Sequence, residues 1–113
     1  MIEEVQEIKK DLKRIRAMGF DEAYEVFKKA LPEMVKEKQY HNSHGLFRVA
    51  NIGAEVQGEV YIAKKIRCKG IKGNDKFRVV FYIDGSKIMI LEVFYKGHKE
   101  IEDKDRIRHY CCK

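Results

Sequence analysis

The chain has 113 residues, of which 44% are hydrophobic and 37% charged, and its mean hydropathy is −0.52. This length suits a single domain over residues 1–113, and the composition is too apolar for a disordered chain and too charged for a membrane span. Lysine and arginine number 24 against 18 acidic residues, so the net charge is +6. A nucleic acid or an acidic protein is therefore the expected partner.

The N-terminal segment mixes acids and bases with no uninterrupted apolar stretch, which predicts neither a secretory signal nor a membrane helix. A cytoplasmic location is expected. The cysteines, Cys68, Cys111 and Cys112, fit neither a disulfide framework nor a CxxC metal motif. A zinc site combining the adjacent pair with His98 and His109 would hold tetrahedral zinc poorly. The sequence thus predicts free thiols, no metal and no cofactor.

Apolar residues at steps of three and four predict two N-terminal helices that form a hairpin. The first spans about residues 3–18, with no strand before it. Gly19 supplies a left-handed helix exit, and Asp21 can cap the second helix, which reaches about Lys38. Pro32 predicts a kink or a short break in that helix.

Residues 39–45 are polar and predict a loop, after which four runs are rich in β-branched and aromatic residues: 46–51, 59–68, 76–83 and 87–95. Asp84-Gly85-Ser86 predicts a tight hairpin, because a type I′ turn needs positive φ at both central positions. Residues 70–75 predict a longer loop, and residues 102–111 a short helix. The expected fold is α+β: a helical hairpin packed on a twisted antiparallel sheet of three to four strands, with a short C-terminal helix.

Seven lysines and arginines lie between Lys64 and Arg78, with a single acid among them. Alternation along the strands places Arg78 and Tyr82 on one face. A basic, concave face interleaved with Tyr61, Tyr82 and Tyr95 would suit a phosphate backbone and stacked bases. A solvated outer sheet face accounts for the same cations without any binding function.

The helical hairpin followed by FRVVFYIDGSKIMILEVFYKGHKE resembles the RelE/ParE superfamily of toxins from toxin-antitoxin pairs. KKIRC matches the family's basic strand, Arg78 its strand arginine, Asp84-Gly85 its tight hairpin and FYKGHK its basic final segment. The similarity is close over about residues 58–100 and rests on pattern alone over 5–38. Many members begin with a strand before the hairpin, which is not predicted here.

The resemblance implies a ribosome-dependent endoribonuclease that cleaves mRNA by attack of a ribose 2′-OH on the adjacent phosphate, without a metal. By family position, Arg78 contacts the scissile phosphate and His98 is the general acid. In the basic strand, which includes Lys65 and Arg67, one cation would hold the phosphate and a crowded lysine would act as base. The RNA contacts implied are Lys64, Lys69, Tyr82, Tyr95, Lys96 and Lys99.

The implied partners are a cognate antitoxin, with an acidic or amphipathic segment, and mRNA on the ribosome, with no membrane partner. Two other functions remain open: a ParE-like protein that inhibits DNA gyrase by docking on it, and a catalytically inert nucleic-acid-binding relative. The leading site residues also have structural explanations. Arg78 could form an ion pair with Glu92, and His98 could be an ordinary exposed loop histidine.

Overall fold

The computed structural model describes residues 2–36, 46–49, 58–64, 66 and 76–111. The predicted loops at 39–45 and 70–75 lie outside the described residues. The elements, in chain order, are strand β1 (Ile2–Glu4), helix α1 (Ile8–Ile15), a 3₁₀ turn (Arg16–Met18), helix α2 (Phe20–Lys36), strands β2 (Leu46–Arg48), β3 (Glu59–Ala63), β4 (Phe77–Asp84) and β5 (Lys87–Tyr95), and helix α3 (Lys104–Cys111).

The five strands form one mixed sheet in the order β1-β5-β4-β3-β2. Strands β2 to β5 pair antiparallel in chain order, whereas β1 lies parallel to β5, with Ile2 opposite Ile88. The α+β class, the helical hairpin and the C-terminal helix are confirmed, and β1 adds a parallel edge strand. The prediction that the chain starts directly in helix is wrong, because α1 begins only at Ile8.

The helical hairpin covers the sheet face that carries Phe77 and Phe81. The ring of Phe20 in α2 stacks on Phe77 with centroids 4.1 Å apart, and Phe27 lies 6.2 Å from Phe81. Phe20, Phe77 and Phe81 are fully buried. Removing such large rings from water is the main stabilising contribution to a core of this kind. Between the two helices Gly19 adopts φ 74, the predicted left-handed exit, which glycine takes without strain.

Helix α2 differs from the prediction at its start. It begins at Phe20, so Asp21 lies in its first turn rather than at its cap, where it pairs with Arg16 at 3.7 Å. The helix continues through Pro32 to Lys36 without a break in its assignment. Within the described ranges no helix is both long and apolar enough to cross a membrane.

The β4–β5 hairpin is as tight as predicted, but its turn residues are shifted by one. Asp84 pairs with Lys87, so Gly85 and Ser86 are the central residues of the turn. Gly85 has φ 61, a value that a residue with a side chain rarely adopts. The glycine therefore stands where the turn requires positive φ.

A β-bulge interrupts the β4–β5 pairing. Phe81 pairs with Ile90 but Val80 pairs with Glu92, which leaves Leu91 as the extra residue of β5. Side-chain alternation in β5 changes phase at this point. As a result Glu92 points to the sheet face opposite the helical hairpin instead of into the hairpin core.

Candidate nucleic-acid interface

Several of the candidate residues lie at one end of the sheet, where β4 begins and β5 ends. Arg78 is directly opposite Phe94, and Phe77 is opposite Tyr95. Because side chains alternate, Arg78 and Phe94 lie on the face opposite the helical hairpin. Tyr95 lies on the hairpin face, with its ring centroid 5.2 Å from that of Phe77. The candidates are thus divided between the two faces of one sheet end.

Arg78 is held by backbone carbonyls. Its Nη1 donates to the Lys64 oxygen at 3.3 Å and to the Phe77 oxygen at 3.1 Å, and the side chain is half-buried. Glu92, the ion-pair partner considered for Arg78, binds Lys99. The two carbonyl bonds fix the guanidinium beside the end of β3.

His98 lies in the turn that follows β5 and is exposed. The Tyr95 carbonyl accepts the amide hydrogens of His98 at 2.9 Å and of Lys99 at 3.2 Å. The His98 and Tyr95 rings meet edge to face with centroids 5.0 Å apart. Gly97 permits this approach, because a Cβ at that position would lie 2.2 Å from Tyr95 Cε2. The turn therefore sets His98 directly against Tyr95.

A cavity of about 400 Å³ opens between α1 and the edge of β5. We call it the edge cavity; it is lined by Asp11, Arg14, Ile15, residues 92–95, His98 and Lys99. It brings together three residues that the sequence predicted for the site: Tyr95, His98 and Lys99. Arg78 is not among the residues that line it.

One carboxylate of the edge cavity belongs to Asp11, which is 3% exposed. Asp11 Oδ2 accepts the Val93 amide hydrogen at 3.0 Å and Arg106 Nη1 at 2.6 Å. Arg106 also donates to the Leu91 carbonyl at 3.0 Å. Since β1 ends at Glu4, these side chains supply the hydrogen bonds that β5 would otherwise lack beyond it.

The other carboxylate belongs to Glu92, which is 2% exposed. It accepts hydrogen bonds from Lys99 Nζ and from the Asp103 amide, the latter at 2.7 Å. The Lys99 ammonium also lies 5.5 Å from the Phe94 ring centroid. Lys99 was predicted to contact phosphate, but its ammonium is paired with the buried Glu92 carboxylate.

The three tyrosines do not share the basic face that the sequence predicted. Tyr61 pairs with Phe81 and stacks on it with centroids 5.8 Å apart, which places Tyr61 and Tyr95 on the hairpin side. Tyr82 lies on the opposite face, is 8% exposed, and has its pKa raised by burial. The alternation of side chains along each strand was predicted correctly. The sequence of one strand does not show which of its residues share a face with given residues of the neighbouring strand. Tyr82 is thus too buried to stack with a base.

Arg14 and His98 line the edge cavity, and Lys96 lies between Tyr95 and His98 in the chain. Among the described residues no hydrogen bond or ion pair engages the side chains of Arg14, Lys96 or His98, and all three are exposed. Lys64 is exposed as well. The remaining predicted cations lie outside the described residues: Lys65, Arg67 and Lys69.

Sequence reasoning did not assign Asp11, Arg14 or Arg106 to the site, and it considered Glu92 only as an ion-pair partner of Arg78. A signal for two of them exists, because Asp11 follows Ile8 by three positions on the apolar stripe of α1, and Glu92 is the lone acid within KIMILEVFY. A charge on an apolar face indicates a buried partner. Arg14 and Arg106 carry no comparable signal, since they sit in highly charged segments.

The described residues contain no group of three or more His, Cys, Asp or Glu side chains placed to hold a metal ion. Cys111 is buried at the end of α3, while Cys68 and Cys112 lie outside the described residues. The sequence arguments about the cysteine pair therefore remain predictions.

Comparisons with protein-family models, with curated proteins and with solved structures found no match to the chain. Function must therefore be argued from the order of the elements and the geometry of this sheet end.

Proposed function

We propose that this protein is a RelE/ParE-like toxin that binds mRNA on the ribosome and cleaves it at the end of the sheet where β4 begins and β5 ends. The observation that carries the proposal is β1, which pairs in parallel with β5. A strand before the helical hairpin is part of the family pattern and was the main feature missing from the resemblance. With it, the chain has a strand, two helices and four antiparallel strands in the expected order.

The cleavage chemistry needs a cation on the phosphate and an acid for the leaving 5′ oxygen. Arg78 provides a planar guanidinium that suits two phosphate oxygens, and histidine exchanges a proton readily near neutral pH. Arg78 is opposite Phe94 and His98 packs on Tyr95, so the two groups flank consecutive residues of β5. An RNA strand that crosses this sheet end would pass both, and the exposed Lys96 adds a phosphate contact.

The structure narrows the set of RNA contacts in this proposal. Lys64, Lys96 and Tyr95 remain, with Lys65, Arg67 and Lys69 proposed as further cations of the basic strand. Lys99 and Tyr82 are removed, because the first is paired with Glu92 and the second is buried. A cognate antitoxin encoded beside the toxin would be the protein partner.

A catalytically inert RNA-binding relative is the second candidate. One observation favours it: Arg78 and Tyr95 lie on opposite faces of the sheet, and the cavity that His98 lines does not include Arg78. In-line attack needs the phosphate cation and the acid on the same group. A protein that kept them apart would bind RNA without cleaving it.

Induced expression in a bacterial host, with mapping of mRNA 5′ ends on ribosomes, tests the proposal. We expect growth arrest and cuts in the ribosomal A site, both abolished by Arg78→Ala and by His98→Ala. Lys29→Ala, which removes an exposed lysine of α2, is the matched control and should keep full toxicity. Intact mRNA with DNA damage would indicate a gyrase inhibitor, and absence of arrest an inert relative; either result overturns the nuclease proposal.

A further inference from the structure

We propose that the edge cavity binds an unpaired keto base, uracil or guanine, of the RNA strand. The inference rests on the proposed function in taking RNA as the ligand, and it adds a base-selective subsite to the sheet end. Arg14 carries the selectivity, and the Tyr95 and His98 rings contribute to the affinity.

The edge cavity has the size and walls of a base site. Its volume of about 400 Å³ falls within the range of about 300–1,000 Å³ of small-molecule pockets. Phe94, Tyr95 and His98 are among its lining residues, and the Tyr95 and His98 rings meet edge to face with centroids 5.0 Å apart and ring planes 67° apart. Aromatic side chains of this kind bind unstacked bases through their π faces.

The polar groups of the edge cavity fall into two classes. Its carboxylates are engaged: Asp11 binds Arg106 and the Val93 amide, and Glu92 binds Lys99 and the Asp103 amide. Its remaining side-chain donors are not. Within the described part of the chain, the Arg14 guanidinium, the Tyr95 hydroxyl and the His98 ring have no hydrogen-bond partner. A ligand entering the cavity therefore meets the Arg14 guanidinium, which can only donate hydrogen bonds, beside a hydroxyl and an imidazole that can donate or accept them.

Hydrogen-bond donors on the protein favour bases that present hydrogen-bond acceptors. Uracil presents carbonyl oxygens, and guanine presents O6 and N7, whereas adenine and cytosine present exocyclic amino groups at the corresponding positions. An amino group directed at the Arg14 guanidinium, which can only donate, would replace a hydrogen bond with a donor–donor contact. Keto bases are therefore favoured, while the charge of Arg14 and the neighbouring Lys96 attracts the phosphate.

Binding of five ligands to the full chain, followed by NMR chemical-shift titration, tests the inference. The ligands are UMP, GMP, CMP, AMP and ribose 5-phosphate, which share one phosphate and differ in the base. We expect the amides of Val93, Tyr95 and His98 to shift, with Kd for UMP and GMP about three- to tenfold below that for CMP and AMP. Ribose 5-phosphate should bind most weakly.

Two variants locate the effect. Arg14→Ala removes the donor-only guanidinium and should both weaken all four nucleotides and reduce the keto preference, while Tyr95→Phe keeps the ring and should leave the keto preference in place. Lys29→Ala should change neither. Equal affinity for ribose 5-phosphate and UMP, equal affinity for keto and amino bases, or shifts confined to residues outside the edge cavity would each overturn the inference.

The test also separates this inference from the proposed function. RNA cleavage on ribosomes without a keto preference would support the nuclease proposal and contradict the base subsite. Keto-selective binding in a protein that causes neither growth arrest nor cleavage would support the base subsite and contradict the nuclease proposal.

Discussion

Arg106 of α3 and Asp11 of α1 form a bidentate ion pair across the edge of β5, with Nη1 2.6 Å from Oδ2 and Nη2 3.2 Å from Oδ1. The same two side chains bind the Leu91 carbonyl and the Val93 amide. They thus act where β1 has ended and satisfy the β5 backbone as a neighbouring strand would. Bidentate geometry offsets the cost of removing both charges from water.

Replacing Asp11 should be strongly destabilising. Asp11→Ala leaves the nearly buried Arg106 guanidinium without its bidentate partner and the Val93 amide without an acceptor. We expect urea denaturation to show a loss of about 3–5 kcal/mol in the free energy of unfolding. Asp105→Ala is the matched control, because its ion pair with Arg108 is on the surface and Asp105 is 94% exposed.

Arg106→Met combined with Asp11→Ala supplies the second control. Removing both charges leaves no guanidinium in the nearly buried position, so the double variant should be more stable than Asp11→Ala alone. A double variant that loses stability additively would show that the ion pair does not couple the two helices.

Strand β1, residues 2–4, is the part of the fold that could not be predicted from the sequence. The fold class followed from helical spacing in α1 and α2 and from β-rich runs in β3 to β5, because each signal is local and long enough to read. A three-residue strand shows no period of its own, and its partner Ile88 lies at the far end of the chain. The edge cavity was equally hidden, since it exists only where α1 meets β5 and the following turn.

Tyr110 should make the stability of α3 depend on pH. Its hydroxyl donates to Glu7 Oε1 at 2.6 Å, and this bond is the main cause that lowers the pKa of Glu7 and raises the pKa of Tyr110. The Glu7 contribution is present above its unfolded-state pKa and is lost as pH falls through the lower folded-state value. The Tyr110 contribution is present below its unfolded-state pKa and is lost as pH rises through the higher folded-state value.

Tyr110→Phe removes the hydrogen bond to Glu7, and with it the contributions to stability that are lost at low and at high pH. An NMR titration of the Glu7 carboxyl carbon should show its pKa rising toward the ordinary value of about 4.3. Lys29→Ala should leave the Glu7 titration unchanged. A Glu7 pKa that stays low in Tyr110→Phe would assign the shift to other neighbours such as Arg106.

Gly97→Ala should disturb the candidate site through Tyr95. The added methyl would lie 2.2 Å from Cε2 and 2.9 Å from Cδ2 of a ring that is held between Phe77 and His98. Overpacking of this kind costs about 1–3 kcal/mol, and the Tyr95–His98 cross-peak in an NOE spectrum should weaken. Combining Gly97→Ala with Tyr95→Ala should remove most of the added cost; a penalty that persists would indicate backbone strain in the turn.

Glu92 should limit the affinity of the sheet end for RNA, because it neutralises Lys99. Glu92→Gln keeps the size of the side chain, removes its charge and leaves the Lys99 ammonium available to phosphate. Fluorescence anisotropy with a single-stranded RNA of ten nucleotides should show tighter binding at low salt. The plot of log K against log salt should become steeper by about 0.7, the value for one added contact with single-stranded nucleic acid.

Two further variants test whether the change in the salt-dependence slope comes from cations at this sheet end. Lys96→Ala should make the slope shallower by about 0.7, because it removes one exposed cation from the same sheet end. Glu92→Gln with Lys99→Ala should return the slope to that of the unmodified protein, while Lys29→Ala should leave it unchanged. If Glu92→Gln folds normally and the slope does not steepen, RNA does not pass Lys99, and its path must lie on the side of the sheet end that carries Lys64 instead.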